Sequence, residues 1–234
     1  MLLRDDSVKL FMVQEDIVAG TRYRPFRLKQ RCRITVLSLS RLFAELHPPR
    51  ETLETRLECL SILKHIGFQI GTNMMIGLPG QSIADLADDV LFFRDRNIDM
   101  VGMGPYIVHR QTPMVRFEPE IEQKKNEIFK LSLKMLSVVR IVCRDINIAS
   151  TTALQAMEPT GREQGLEFGA NIIMPQVTPV GVRKSYQLYE GKPCLDENAV
   201  LCRDCLKARI ESVGRTIAEN AWGDSLHFKK RNSI

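Results

Sequence analysis

The pattern of apolar positions after residue 50 alternates between two periods. Residues 51–67 repeat leucines on one helical face, and residues 68–76 form an apolar run of strand length. Helical spacing resumes after Ser82, a favourable N-cap residue, and residues 100–106 are again typical of a strand. This alternation predicts βα units arranged around a parallel sheet.

The same alternation continues towards the carboxyl terminus. We expect a long helix over residues 120–143, a strand over 146–149, a helix after Pro159 and a strand over 170–174. The pattern is then irregular until residues 205–216, which predict a last short helix. About four strand-to-helix units result, roughly half of a closed eightfold barrel. The predicted fold class is therefore α/β, a partial (β/α) barrel of the TIM type.

The opening stretch of the chain differs from the rest. Residues 21–41 are rich in arginine and lysine, contain no acidic residue, and show neither period in their basic part. A solvated basic arm is one interpretation, and a shifted reading frame or mis-joined exon is another. We therefore predict three parts: an atypical basic segment of uncertain fold (1–41), a βα region (42–179) and a carboxy-terminal extension that carries a cysteine cluster (180–234).

Composition and charge limit the classes of protein to which this chain can belong. The chain has 234 residues and is 44% hydrophobic, which is enough for a packed core. Its formal net charge of +5 is spread along the chain, so we expect no nucleic-acid partner. No run of about eighteen apolar residues and no signal-peptide pattern is present, so we expect no membrane association and no export.

The strongest local signal is a cysteine cluster. Of six cysteines, three lie in the spacing Cys194-x7-Cys202-x2-Cys205. Three thiolates this close together can converge on one soft metal, which predicts an iron-sulfur or zinc site. A fourth ligand is absent nearby, and three unrelated thiols are the alternative.

Other candidate residues carry weaker signals. The Gly77-Leu78-Pro79-Gly80 turn and His109 follow strands, where parallel-sheet proteins bind ligands, but a connector and a loop histidine are the simpler interpretations. Met100 and Met103 are typical core fillers.

Five further residues have a polar group that suits a binding site. Thr151 and Thr152 follow a strand, where paired hydroxyls either donate to a carboxylate or cap the next helix. The guanidinium of Arg56 is able to bind a carboxylate bidentately, although its helical position favours exposure. Tyr186 and Tyr189 are three residues apart and suit one face of a pocket, or are ordinary amphipathic aromatics.

Several enzyme classes lack their signatures. The chain has no G-x-S-x-G, H-E-x-x-H, Walker or G-x-G-x-x-G motif. Hydrolase, zincin, P-loop and Rossmann interpretations are therefore unsupported.

Long motifs over about residues 41–228 resemble one family, the HydE-type maturases of FeFe hydrogenase, which are radical S-adenosylmethionine (SAM) enzymes. Biotin synthase and methylornithine synthase share the general pattern less closely. The resemblance rests on three runs, in this order and spacing: RLECLSILKHIGFQIGTNMMIGLPGQSIADLADDVLFFRDRNIDMVGMGPYIVHRQTPM, ASTTALQAMEPTGREQGLEFGANIIMPQVTP and YQLYEGKPC.

The resemblance implies the carboxy-terminal half to two thirds of a radical SAM barrel. In the family, a 4Fe-4S cluster cleaves SAM to a 5′-deoxyadenosyl radical, which acts on a cysteine-bound iron carbonyl-cyanide species made by another hydrogenase maturase. Arg56 matches an arginine near the SAM carboxylate, and the three cysteines match an auxiliary iron-sulfur site of some members. The positions that match the cavity lining are Met100, Thr151, Thr152, Met174, Tyr186 and Tyr189.

One departure from the family affects function. Members carry a C-x3-C-x2-C triplet near their start, whereas only Cys32, Cys59 and Cys143 precede the cluster here, far apart. Three irons of the 4Fe-4S cluster need those thiolates, so we expect no radical formation by this chain alone. The open alternatives are a non-catalytic metal-binding module and a methylornithine-synthase-like isomerase. The resemblance also implies a location in the cytoplasm or in an organelle matrix, such as a hydrogenosome or plastid.

Overall fold

The structure is a computed structural model of the chain. It describes residues 7–10, 31–33, 41–47, 50, 52–175, 178–183, 189, 191–194, 199–219 and 223–232. Most of the basic segment, and Tyr186, lie outside the described residues.

A sheet of parallel strands forms the centre of the fold. Its order is β2-β3-β4-β5-β6-β1-β7, and every recorded pairing is parallel. The strands are β1 (Ser7–Leu10), β2 (Arg31–Arg33), β3 (Gln69–Ile76), β4 (Met100–Pro105), β5 (Asn147–Ser150), β6 (Ile172–Ile173) and β7 (Thr216–Ile217). Two short strands of the amino-terminal segment thus join the same sheet.

From β2 to β7, helices connect successive strands of the chain, as βα units require. They are α1 (Arg41–Leu46), α2 (Leu53–His65), α3 (Ile83–Asp95), α4 (Glu118–Gln123), α5 (Lys125–Val142), α6 (Thr152–Met157), α7 (Gly161–Glu167), α8 (Val180–Arg183), α9 (Ala199–Ser212) and α10 (Leu226–Arg231), with a 3₁₀ turn at Pro113–Phe117. None of these described helices is both long and apolar enough to cross a bilayer. The α/β class and the partial parallel sheet agree with the prediction.

The strand register separates two faces of the sheet. Met74 lies opposite Met103, and Ser150 pairs with both Met103 and Ile173. Because successive side chains alternate, this row points to the side covered by α3, α5 and α7, where Met74, Met103 and Ile173 join the main hydrophobic core. We call this side the helix face.

The opposite side of the sheet, which we call the inner face, carries the next row of residues. Gly102 pairs with Asn73 and Ala149, and Ala149 pairs with Ile172. Met100, Ala149 and Ile172 form a separate small cluster with the half-buried Met174. The sequence indicated that Met100 and Met103 are both typical core fillers. Met103 fills the main core, whereas Met100 belongs to the inner face.

Local signals explain the helix boundaries that the sequence indicated. Helix α3 begins with a capping box, in which Ser82 Oγ accepts from the Asp85 amide at 3.1 Å and Asp85 Oδ2 accepts from the Ser82 amide at 2.7 Å. Helix α2 ends before Gly67, whose φ of 86° suits a glycine in the left-handed region.

Two helix predictions are wrong in detail. The helix expected over 120–143 is two helices that meet at Lys124, whose backbone leaves helical geometry at a ψ of 5°. The helix expected over 205–216 is α9, which begins six residues earlier and ends at Ser212, while Thr216 lies in β7. Gly214, with a φ of 70°, allows the turn between them.

Asp99 is the centre of a polar network at the amino end of the sheet. Its carboxylate is fully buried, at 0% exposed. One oxygen, Oδ2, accepts from the Ile70 amide at 2.9 Å and from Arg231 Nη2 at 2.7 Å. The other lies 2.8 Å from His227 Nδ1. The carboxylate therefore ties α10 to the starts of β3 and β4.

Residues 223–225 extend this attachment across the sheet. Gln69 Nε2 donates to Asp224 Oδ1 at 3.2 Å, and Gln69 Oε1 accepts from the Ser225 amide at 3.2 Å. Asn147, at the start of β5, donates to the Gly223 carbonyl at 2.8 Å. We call residues 223–232 the carboxy-terminal clasp, because they bind the starts of three neighbouring strands.

Replacement of Asp99 by asparagine should destabilise the protein strongly. Asp99→Asn leaves the Arg231 guanidinium without its buried counter-charge, and we expect the free energy of unfolding to fall by about 2–4 kcal/mol. Urea denaturation followed by circular dichroism measures this change.

The matched control is Asp95→Asn, because Asp95 pairs with Arg94 on an exposed surface. Its effect on stability should be much smaller than that of Asp99→Asn, because solvent screens an exposed pair. Equal stabilities of the two variants would contradict the central role of Asp99.

Candidate functional site at the carboxyl end of the sheet

The side chain of Gln81 closes the turn that follows β3. Gln81 Oε1 accepts from the amides of Gly77 and Leu78, at 2.8 and 3.3 Å, and Gln81 Nε2 donates to the Met75 carbonyl at 2.9 Å. These amides are therefore already paired and are not presented to an anion. The Gly77–Gly80 turn is a connector, as the simpler interpretation held.

The loop after β4 uses His109 in a local turn. The Gln111 amide donates to His109 Nδ1 at 3.1 Å, and Thr112 Oγ1 donates to the His109 carbonyl at 2.7 Å. These contacts are those of a loop histidine that holds its own backbone turn.

Thr151 is locked between β4 and α6. Its hydroxyl donates to the Met103 carbonyl at 3.2 Å and makes no capping bond to α6, although Thr151 is the N-cap residue. Gly104 makes this approach possible, because a Cβ there would lie 2.4 Å from Thr151 Oγ1. The interpretation of Thr151 as a side-chain helix cap is therefore wrong.

Thr152 and Tyr189 come together across the carboxyl end of the sheet. Thr152 Oγ1 and the Tyr189 hydroxyl are 2.6 Å apart. Burial raises the pKa of the Tyr189 phenol, and the bond to Thr152 offsets part of that rise. Because this pKa is raised, the phenol keeps its proton at neutral pH and remains able to donate.

The remaining predicted site residues have different positions. Met100 and Met174 share the inner face. Arg56 is half-buried on α2, with its guanidinium 5.8 Å from the ring centre of Phe43 on α1. The sequence-based roles of these residues stay predictions.

A buried arginine beside this site was missed from the sequence. Arg162, in α7, is 1% exposed, donates from Nη2 to the Met174 carbonyl at 2.9 Å, and accepts at its own carbonyl from Ser150 Oγ at 2.8 Å. Among the residues that the structure describes, its Nε has no hydrogen-bond partner. The sequence signal was an arginine flanked by Gly161 and Gly165, two glycines that allow a helix to pack closely.

The three predicted metal ligands lie beside arginines. Cys194 and Cys202 act electrostatically on buried Arg162, whose pKa is lowered mainly by burial and is partly raised again by the two thiols. Burial lowers the pKa of the Arg209 guanidinium, but Cys205 and Glu163 together outweigh it, so this pKa lies above its usual value. Cys194 has a φ of 64°, in the left-handed region.

The donor chemistry of this segment suits a soft metal, because all three candidates are thiols. Within the part of the chain that the structure describes, no three side chains from histidine, cysteine, aspartate and glutamate come together as a ready metal site. The ligand set at Cys194, Cys202 and Cys205 stays a prediction.

The residues present do not fit a radical SAM cluster. The full sequence has no C-x3-C-x2-C triplet, and Cys59 is exposed on α2 whereas Cys143 is buried after α5. Two thiols, one exposed on α2 and one buried after α5, do not supply the three thiolates that such a cluster needs.

Replacement of Gly104 tests the close approach of Thr151. Gly104→Ala should lower the free energy of unfolding by about 1–3 kcal/mol, because its methyl group overlaps the threonine hydroxyl. A second change, Thr151→Ala, should restore most of the loss by removing that hydroxyl.

Thermal or urea unfolding of the single and double variants measures the coupling. Gly181→Ala is the control, since no atom lies within 4 Å of a Cβ at that position. A double variant no more stable than Gly104→Ala would refute the contact.

Comparison with known proteins shows what the whole chain resembles. No protein-family model matches the chain. A stretch of 175 residues, 75% of the chain, is 45% identical to the FeFe hydrogenase maturase subunit HydE of Thermotoga maritima. The alignment covers 48% of that relative, so the chain spans about half the length of the curated protein it matches.

A solved structure supports the architecture. The fold is similar to that of methylornithine synthase (PylB), with a TM-score of 0.61 at 18% identity, over 80% of this chain and 52% of that one. This likeness concerns the fold alone. Over three quarters of its length this chain is thus similar in sequence to the HydE subunit, and its fold is similar to about half of the methylornithine synthase structure.

Proposed function

We propose that this chain forms part of a cavity wall in a radical SAM maturase of the HydE type. The observation that carries the proposal is the separation of the two sheet faces. Met100 and Met174, which match the cavity lining of the family, pack together on the inner face, away from the helix-face core. Parallel-sheet enzymes bind ligands at the carboxyl ends of their strands, where Thr151 and Thr152 also lie.

The proposed roles follow from the chemistry of each side chain. The Arg56 guanidinium would pair with the carboxylate of SAM, since a planar fork binds carboxylates bidentately. The Thr152–Tyr189 hydroxyl pair offers one remaining donor for a polar ligand group. The methionines would supply an apolar wall, and the family resemblance assigns Tyr186 to the same lining.

The substrate and partners belong to the same proposal. In a complete maturase of this type, SAM and a 4Fe-4S cluster held by the C-x3-C-x2-C triplet that this chain lacks would supply a 5′-deoxyadenosyl radical. The substrate class would be a cysteine-bound iron carbonyl-cyanide species, delivered by other hydrogenase maturases. Support comes from the identity to HydE.

We propose that the chain does not cleave SAM on its own. Three irons of the cluster require three thiolates, and this sequence lacks the triplet that provides them. This argument concerns the ligands in the sequence and not the occupancy of any site.

An auxiliary metal centre is a second part of the proposal. Cys194, Cys202 and Cys205 would ligate an iron-sulfur cluster, or zinc in a purely metal-binding module, by drawing together when the metal binds. The likeness to methylornithine synthase is at the level of fold and does not favour an isomerase.

Anaerobic reconstitution tests the expected inactivity. After incubation with iron, sulfide, a strong reductant and SAM, chromatography should detect no 5′-deoxyadenosine above a blank without protein. The Thermotoga maritima HydE subunit, treated identically, is the positive control. Sustained, multiple-turnover release of 5′-deoxyadenosine by the present chain would refute the proposal.

A further inference from the structure

Two adjoining hollows lie at the amino end of the sheet. They share Ile98, in the turn between α3 and β4. The first hollow, of about 210 Å³, is lined by α2 and by this turn. The second, of about 280 Å³, is lined by the same turn, the end of α5 and His227 of the carboxy-terminal clasp. Both hollows therefore lie at the end of the sheet opposite the proposed cavity wall.

The walls of both hollows are largely apolar. Leu60, Ile70 and Ile98, all buried, line the first hollow, and the buried Phe93 and Ile146 line the second. Apolar walls suit a ligand that brings carbon atoms with its charge better than a small hydrated ion. A polypeptide segment is such a ligand.

Three basic side chains border these hollows. Lys64 and Arg96 line the first, and Arg144 lines the second. Lys64 Nζ donates to the Arg96 carbonyl at 3.0 Å, which places the ammonium group beside the backbone of that arginine. Among the residues that the structure describes, none of the three side chains forms an ion pair with a carboxylate.

Neighbouring cations of the same surface are already neutralised. Arg94 Nε lies 2.7 Å from Asp95 Oδ1, and Lys230 forms an ion pair with Asp145. The local excess of positive charge therefore comes from the three side chains that border the hollows.

The environment of Lys64 reflects this excess. Burial is the largest cause that lowers the pKa of its ammonium group, and the charges of Arg231 and Arg96 lower that pKa further, against an opposing effect of Asp99. Repulsion between like charges destabilises their charged forms, and an anion bound at the rim would relieve it. The surface is thus better suited to a bound anionic group than to water alone.

The arrangement of charge favours a protein over a nucleic acid. A phosphate backbone carries closely spaced charges and needs a continuous basic surface. Here Asp95 lines the first hollow and Asp145 lines the second, so each would repel a continuous run of phosphates. Carboxylates spaced along a polypeptide are able to pair with the separate cations and avoid the two aspartates.

We propose that these two hollows form a docking surface for an acidic segment of a partner protein, whose carboxylates pair with Lys64, Arg96 and Arg144. The inference goes beyond the proposed function and does not depend on it. A partner bound at the amino end leaves the carboxyl end of the sheet accessible.

Binding of fluorescein-labelled polyglutamate to the full chain, measured by fluorescence anisotropy, tests this proposal. A single-stranded oligonucleotide of equal charge is the competing probe. The test variant combines Arg96→Glu with Arg144→Glu, two exposed positions. The matched control combines Arg116→Glu with Lys130→Glu, which are also exposed but line neither hollow, and which change the net charge equally.

We expect polyglutamate to bind more tightly than the oligonucleotide and to be released by added salt. The test variant should weaken polyglutamate binding by about tenfold or more, because two attractive contacts become repulsive. The control variant should stay within about threefold of the unaltered protein.

Three results would overturn the proposal. The first is no binding of polyglutamate, and the second is an equal loss of affinity in the control variant, which would show a non-specific effect of net charge. Tighter binding of the oligonucleotide, lost in the test variant, would overturn the assignment of a protein partner. If circular dichroism shows that the test variant is unfolded, Arg96→Gln with Arg144→Gln replaces it, and unchanged affinity in that folded variant would also overturn the proposal.

Discussion

The parallel register of β3, β4, β5 and β6 is the constraint on which the rest of the structure depends. It aligns Met74, Met103, Ser150 and Ile173 in one row towards the helices, and Asn73, Gly102, Ala149 and Ile172 in the next row towards the inner face. A slip of one residue would exchange the two faces of a strand. The core and the proposed cavity wall would then change places.

The two ends of the sheet use polar groups differently. At the amino end, Asp99, Gln69 and Asn147 are bound to the carboxy-terminal clasp, so their polarity stabilises the fold. At the carboxyl end, the Thr152–Tyr189 pair and Arg162 retain donor capacity. This division is typical of βα barrels, where the amino end supports the fold and the carboxyl end binds ligands.

Short sequence signals predicted the helix boundaries that neighbouring residues determine. The N-cap at Ser82 and the helix stop at Gly67 follow from short-range preferences, and both agree with the structure. The Asp99–Arg231 contact joins residues 132 apart, and no local pattern reports such a pairing. The burial of Arg162 was equally hidden, because arginine in a short helix is normally exposed. The family resemblance identified residues that share the inner face. Only the strand register shows that Met103 lies on the helix face instead.

The most direct test of this account compares two adjacent residues on opposite faces. Ile173 is 0% exposed in the helix-face core, whereas Met174 is half-buried at the inner face. Urea unfolding of Ile173→Lys and Met174→Lys measures how each face tolerates a charge. The account predicts that Ile173→Lys loses about 4 kcal/mol or more, or fails to fold, and that Met174→Lys loses about 1–2 kcal/mol. Equal losses, or a larger loss for Met174→Lys, would contradict the assignment of the two faces.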